Sequence, residues 1–261
     1  MFGFNALLVH GDLLVVDRWR WLKKYLPITR GDEMVVDVGC GTGAFTIGAA
    51  KRGYHCVGLS WDEKNQELAA ERALICKVSE ISFPILDVRK LDQRVDLLGQ
   101  FEFAICCENI EHIIDDHKLM KDIAALLKPG GRLLLTAPFY FYRAITPKEN
   151  GPFLNIEDGR HVRRGYTSAM LTELCDDAGL MVEEFGSCSG FFAQKITALM
   201  RILKPRIFSW GVVLPLRLLP PVLDKAIAYW CGWPDYSISL VAYKPRFKLN
   251  HPLETRMTTG T

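Results

Sequence analysis

Between Met34 and Ala137, short runs dense in Val, Ile, Leu, Phe and Cys alternate with longer runs whose apolar residues recur every three or four positions. Short apolar runs separated by helix-length segments predict parallel strands joined by crossover helices. The first strand is MVVDV, Met34 to Val38, followed by a glycine-rich turn and a helix from Ala44 to Arg52 that ends at Gly53. Cys56 to Leu59 is the second strand, and Asp62 introduces the strong helix formers EKNQELAAERA. Ile81 to Leu86 forms a short third strand ending at Asp87, and Phe101 to Cys107 forms the fourth. A helix over 115–127 carries Leu119, Ile123, Leu126 and Leu127 at helical spacing and stops at the Lys-Pro-Gly-Gly turn of 128–131. The fifth strand is RLLLTA, Arg132 to Ala137.

Beyond Pro138 the regularity lapses into PFYFYRAITPKENGPFLNIEDGRHVRRGYT, a stretch too long for an ordinary connection and of the kind that carries function. A helix over Ser168 to Ala178, closed by Gly179, a sixth strand at Met181 to Phe185 and a last strand at Tyr236 to Tyr243 follow. The expected organisation is an α/β domain made of 31–186 plus 236–245. A helical cover at 1–30, built around VVDRWRWLKKYL and ending before Pro27, precedes it. An apolar, basic and proline-broken helical insertion occupies 187–235, and 250–261 form a flexible tail.

Composition narrows the classes. With 49% hydrophobic and 24% charged residues among 261, the chain is expected to fold, and disorder is set aside. A net charge of +2 is far from the profile of a dedicated nucleic-acid binder, so no nucleic-acid partner is expected. The eight cysteines contain no CxxC pair and no zinc-type histidine spacing, so no metal site is expected. The N-terminus lacks the basic and uninterrupted apolar regions of a secretory signal, and no apolar run reaches a membrane-spanning length. A reducing cytoplasm is the expected compartment. Charge is nevertheless uneven: between 195 and 248 nine basic residues face two acidic ones. Together with ITALMRILKPRIF and WGVVLPLRLLPPVL, this makes 187–235 a lid, an oligomer interface, a patch that rests on the inner face of an anionic membrane, or a pocket that encloses a hydrophobic acceptor.

The densest chemical signal is VVDVGCGTGAF at 35–45, where a buried strand runs into Gly39, Gly41 and Gly43 and then a helix. Glycines there let a ligand approach the backbone at the carboxyl edge of a doubly wound sheet. Asp37, just before the turn, suits a cationic ligand better than a pyrophosphate. Gly39, Gly41 and Ala44 also satisfy the looser nicotinamide pattern, but the acid that pattern needs after the second strand is replaced by Ser60.

Taken together, VDVGCGTG at 36–43, VGLSWDEKNQELAAERA at 57–73, ILDVRKL at 85–91, FAICCENIEHI at 103–113 and LLKPGGRLLLTAP at 126–138 resemble the class I S-adenosylmethionine-dependent methyltransferases. The resemblance covers about 31–185, in the family's order and spacing. It implies a Rossmann-like, doubly wound seven-stranded sheet with the last strand antiparallel, and S-adenosyl-L-methionine as cofactor. Gly39, Gly41 and Gly43 would lie against its amino-acid and ribose parts, with Asp37 helping to hold the ammonium group. Ser60 and Trp61 would stand at the ribose, Asp87 and the backbone of Val88 at the adenine, and Glu108 at the end of the fourth strand. Ser60 departs from the family's usual ribose acid and is similar in this to cyclopropane-fatty-acid synthases and some alkaloid N-methyltransferases; Asp62 either serves there or caps the following helix.

Methyl transfer is an in-line displacement at carbon, so the protein chiefly positions the acceptor and excludes water. Glu108, Glu111 and His112 after the fourth strand, and His161 in the long loop, are the candidates for moving an acceptor proton. Glu157, Asp158, Arg163, Arg164 and Tyr166 read either as a polar clamp on the acceptor or as a solvated loop; Tyr140 and Tyr142 read either as an apolar wall or as core. The fourth strand is followed by Cys107, Glu108, Asn109 and Ile110 rather than the Asn/Asp-Pro-Pro-Tyr element of exocyclic base methylation, which disfavours nucleic-acid bases. The expected function is methylation of an oxygen or nitrogen on a small or lipid-linked molecule. Its rivals are an inactive cofactor-fold module that binds a membrane or protein partner, and a nicotinamide-dependent oxidoreductase. The oligomeric state is left open.

Overall fold

The computed structural model of the protein describes residues 12–29, 31–203 and 221–246. Helix α1 (Leu13–Tyr25) opens at Asp12, whose carboxylate accepts a hydrogen bond from Leu14 N, and carries Lys23 and Lys24 in its last turn, where cations suit the helix dipole. Four parallel strands follow with their crossovers. They are β1 (Met34–Val38), α2 (Ala44–Ala50), β2 (His55–Leu59), α3 (Glu63–Ile75), β3 (Ile81–Ser82) and β4 (Phe101–Cys107). Then come α4 (Asp116–Leu126), β5 (Leu127–Pro138), α5 (Ser168–Ala178), β6 (Met181–Cys188), α6 (Phe191–Leu203), α7 (Pro221–Trp230) and β7 (Ser237–Tyr243).

The seven strands form one sheet in the order β3-β2-β1-β4-β5-β7-β6. β7 runs antiparallel to both of its neighbours, β5 and β6, as the resemblance implies. Because helices cover both faces, the central strands read as near-continuous apolar runs rather than alternations. Along β4, Ala104 and Cys106 pack with Leu119, Ile123 and Leu171 of α4 and α5. Phe103, Ile105 and Cys107 point the other way, toward Trp19 and Leu22 of α1 and Phe45 of α2.

Several boundaries differ from the sequence reading. β3 is only Ile81–Ser82, because Pro84 cannot donate to a ladder; Ile85 makes a single bridge to Ser60. β5 begins at Leu127 rather than at Arg132, since Leu127 pairs with Phe101 across a register shift before the regular ladder resumes at Phe103 and Arg132. β6 continues to Cys188, held by pairing along the whole of β7. The tail at 250–261, residues 1–11 and residues 204–220 of the insertion lie outside the described residues.

The described part of the insertion packs on α1. Leu13 and Leu14 meet Ala193 and Ile196, and Asp224 of α7 accepts hydrogen bonds from the backbone of Phe192 and Ala193 at the start of α6. Among the described residues no helix is long and apolar enough to cross a membrane. On the sheet side, α1 approaches α2 so closely that a Cβ on Gly48 would stand 2.6 Å from the Trp19 ring. Gly48→Ala is therefore expected to lower stability. Overpacking costs about 1–3 kcal/mol, more than the about 1 kcal/mol that alanine gains in helix propensity. Urea unfolding should show a lower midpoint at unchanged slope, and an unchanged or raised midpoint would mean that α1 yields freely.

Candidate active site

Strand order reverses between β1 and β4, so the crossover helices of these neighbours leave toward opposite faces and open a crevice at their carboxyl ends. A cavity of about 400 Å³ occupies it. Gly39, Gly41, Ser60, Trp61, Asp87, Val88, Glu108 and His112 line this cavity, which brings together most of the cofactor residues expected from the sequence and two of the four proton-transfer candidates.

The floor is the glycine turn. Gly39 has φ +80°, and a Cβ there would fall 2.3 Å from the Asn109 side chain, so the turn closes against the segment after β4 only because the residue is glycine. Gly41 faces open space and Gly43 sits outside the cavity lining, at the start of α2. Asp37 lies beneath the turn, 1% exposed, and its Oδ2 accepts from both Thr46 N (3.1 Å) and Thr46 Oγ1 (2.7 Å).

The second wall follows β2. Ser60 Oγ accepts from Asp62 N, while Asp62 caps α3 by accepting from Asn65 N. Asp62 thus makes the cap and also lines the cavity. Trp61 stands beside them with 62% of its surface exposed. At the third wall Asp87 is engaged by Arg89 through both carboxylate oxygens, which holds its proton affinity below the usual carboxylate range. Arg89 also reaches Glu157 of the long loop at 2.5 Å, and Glu157 accepts from Ile114 N, so the loop is tied to two walls of the cavity.

The fourth wall follows β4. Glu108 adopts φ +50° and donates its backbone N–H to Thr136 O. Its Oε2 pairs with Arg18 of α1 at 3.0 Å. One turn on, Glu111 is fully buried, with the Nε2 atoms of His112 and His161 each 3.9 Å from its Oε1. Burial, with the nearby Glu108 charge, pushes the Glu111 carboxyl well above its ordinary range. The two imidazoles meet edge to face at 4.8 Å, and burial beside His112 pulls His161 down to about 4. His161 is therefore neutral at pH 7 and a weak proton acceptor, and of the two rings His112 is the one on the cavity wall. The three groups offer ligand atoms within 4.8 Å of one another, looser than the roughly 3.4 Å edge that 2.1 Å bonds to a tetrahedral ion require.

Tyr140, Tyr142, Arg163 and Tyr166 are not among the cavity-lining residues. Arg163 binds Asp116 and the carbonyls of Ile113 and Ile114, and the fully buried Tyr166 donates to Asp116 at 2.8 Å. Both brace the turn that carries Glu111 and His112. Tyr142 donates to Glu149 O and packs on Tyr236, while Tyr140 is partly exposed. Sequence reasoning passed over Arg18 and Arg89. The signal for Arg18 is its place in the stripe Leu14, Arg18, Leu22, where a cation interrupts a buried face; the partner of Arg89, Glu157, stands too far along the chain for spacing to reveal it.

Burial pushes Asp37 up to about 6, against the pull of its two Thr46 bonds. The folded protein thus holds this proton more tightly than the unfolded chain, whose carboxylate titrates near 4. The contribution of Asp37 to stability is full below about pH 4 and is lost as pH rises through about 6. Thermal melts across that window should show wild type declining relative to Asp37→Asn, and parallel profiles would contradict the assignment.

Comparison with known proteins agrees with this geometry. A family model described as a methyltransferase domain matches residues 16–184, more than half of the chain. The ubiquinone biosynthesis O-methyltransferase of Acinetobacter baylyi is 29% identical over 119 residues, 46% of this chain and 49% of that protein. The protein of the same name from Coxiella burnetii is 31% identical over 115 residues, 43% and 47% of the respective chains. The chain therefore matches about half the length of these curated relatives. Among solved structures, the [4+2]-cyclase SpnF superposes with a TM-score of 0.60 at 19% identity, covering 88% of this chain and 81% of that one. Phosphoethanolamine N-methyltransferase 2 of Haemonchus contortus, in complex with S-adenosyl-L-methionine, gives 0.60 at 17% identity, covering 87% and 52%. With the matched domain and this seven-stranded sheet in hand, the chain belongs to the class I S-adenosylmethionine-dependent methyltransferases.

Proposed function

We propose that this chain transfers a methyl group from S-adenosylmethionine to a hydroxyl oxygen of a small or lipid-linked molecule. The observation that carries the reading is the cavity at the β1–β4 crevice, where the glycine turn, two acids and His112 share one wall system. The names of the curated relatives support oxygen over nitrogen as the attacking atom.

The residues present fit the cofactor. The turn at Gly39 and Gly41 leaves room for a ligand against the backbone, and Asp37 from below and Glu108 from the side make that end of the cavity suited to an ammonium group. Asp87 and Val88, assigned to the adenine in this reading, and Trp61 and Ser60, assigned to the ribose, line the same cavity. When bound, S-adenosylmethionine supplies an electrophilic methyl carbon on its sulfonium. The chain's part is then to hold the acceptor oxygen in line with that carbon, to exclude water, and to take the hydroxyl proton. His112 takes that proton, with Glu111 beneath it and the braces of Arg163 and Tyr166 fixing the turn.

A peripheral membrane contact through 187–235 belongs to the same reading, because a lipid-linked acceptor must be met at a bilayer. Tyr229 and Trp230 at the end of α7 are 85% and 86% exposed, and Ile202 of α6 is 77% exposed. Arg143 and Lys195 both stand over the Trp233 ring, at 4.3 Å and 4.0 Å. Exposed aromatics beside cations suit the headgroup layer of an anionic membrane.

Calorimetry with S-adenosylmethionine and turnover with a labelled methyl donor on lipid and phenol extracts test the chemistry. Asp37→Ala is expected to abolish cofactor binding, whereas His112→Ala should spare it and slow turnover about 10²- to 10⁴-fold. Undiminished turnover in the second variant removes His112 from the chemistry. For the membrane contact, the protein should float with phosphatidylglycerol vesicles and not with phosphatidylcholine ones, and Tyr229→Ala with Trp230→Ala should weaken flotation. Equal behaviour with both vesicles would sink this part of the reading.

A further inference from the structure

We infer that the Tyr236 hydroxyl, at the start of β7, binds an uncharged oxygen of the methyl acceptor; this rests on the methyl-transfer reading above. β7 is antiparallel to β5, so its first residues stand at the carboxyl edge of the parallel strands, where the crevice opens. The backbone of Tyr236 is fixed there from two sides: its N–H donates to Ser189 O at 3.0 Å, and its carbonyl accepts from Phe139 N at 2.8 Å. One guanidinium nitrogen, Arg18 Nη2, joins the next residue, Ser237, through Oγ at 3.2 Å, to Glu108 Oε2 at 3.0 Å. Tyr236 therefore adjoins the end of β4 whose Glu108 lines the cavity.

Packing accounts for the ring but not for the hydroxyl. The ring lies 5.1 Å from that of Tyr142, and the residue is 5% exposed. Of the buried tyrosines at this edge, Tyr142 donates to Glu149 O and Tyr166 donates to Asp116, whereas the Tyr236 hydroxyl has no partner among the described residues. Phenylalanine would fill the same space without leaving a donor unused. Nor is the hydroxyl sealed off. The fully buried unpartnered hydroxyls on β5, on β7 and after β6 are those of Thr136, Ser239 and Ser189, and that of Tyr236 is not one of them.

The character of the group sets what it binds. Burial, with the charges of Glu149 and Glu108, raises the Tyr236 hydroxyl well above the ordinary tyrosine range, so it stays protonated and donates. Glu108 is paired with Arg18 and Glu149 with Arg201, so the charges about it are balanced. A neutral donor among balanced charges selects a hydroxyl, carbonyl or ether oxygen over a carboxylate, whose desolvation it could not offset. With His112 on the reacting oxygen and Tyr236 on another, the acceptor has two points of attachment, which fixes its direction of approach.

Tyr236→Phe separates this role from packing. The hydroxyl is unpartnered in the free protein, so the variant should melt no lower than wild type; a lower melting temperature would mean an internal partner and overturns the inference. Initial rates with a labelled methyl donor are then measured over serial dilutions of whichever extract, lipid or phenol, accepts the label. The half-saturating amount of extract should rise about five- to tenfold in the variant, while the plateau rate and the calorimetric affinity for S-adenosylhomocysteine stay within about twofold. An unchanged half-saturation, a loss confined to the plateau, or a rise accompanied by weaker S-adenosylhomocysteine binding overturns the inference. Wild-type protein that binds S-adenosylhomocysteine and labels nothing in either extract overturns the methyl-transfer reading itself, a result distinct from any difference between variant and wild type.

Discussion

The reversal of strand order between β1 and β4 is the constraint on which the site depends. Two parallel neighbours whose crossovers depart to opposite faces cannot have their carboxyl ends sealed by either crossover, so a crevice remains. The apolar sorting enforces it: Phe45 of α2 packs with Trp19 on one face, and Leu119 and Ile123 of α4 pack on the other. The close approach of Gly39 to Asn109 then sets the depth of the crevice, since a larger residue at 39 would drive the two strand ends apart.

That crevice is rich in carboxylates, and each is managed differently. Asp37 is held by Thr46, Glu108 by Arg18 and Asp87 by Arg89, while Glu111 sits beside two imidazoles with its proton affinity raised by burial. Arg18 and Arg89 bring full positive charges to Glu108 and Asp87, and Arg163 stands near Glu111. Four acids against one arginine line the cavity, which favours a ligand that is itself cationic, the property that separates a sulfonium cofactor from a pyrophosphate-bearing one. The same electrostatics sharpens the weakness of the nicotinamide alternative, already visible in the serine at position 60.

The sheet and the glycine turn were legible because strand periodicity and turn chemistry are local: VVDVGCGTG needs no distant partner to be read. The acceptor side was less so. Arg163 and Tyr166 looked like ligand contacts because they are polar residues in a functional loop, but their partners, Asp116 and the carbonyls of 110 and 114, lie about fifty residues away in sequence. Arg18 was hidden for the same reason, since the ion pair that gives it meaning joins α1 to the end of β4. The strand ends were misjudged where tertiary pairing overrode turn residues, as at Leu127, which joins the sheet ahead of a Pro-Gly-Gly sequence that reads as a break.

The fold does not choose the chemistry, because the same sheet serves proteins with different reactions. What is particular to this chain is attached around the crevice: the 139–167 loop, tied across the cavity by Glu157, and the pair α1 and α6, which pack on each other and reach the site through Arg18. These elements meet the cavity at different ends. Glu157 and Arg89 stand with Asp87, whereas Arg18 pairs with Glu108 beside the glycine turn. A shift of α6 against α1 would therefore reach the crevice first at Glu108, through Arg18. Asp87, Arg89 and Glu157 keep contacts of their own.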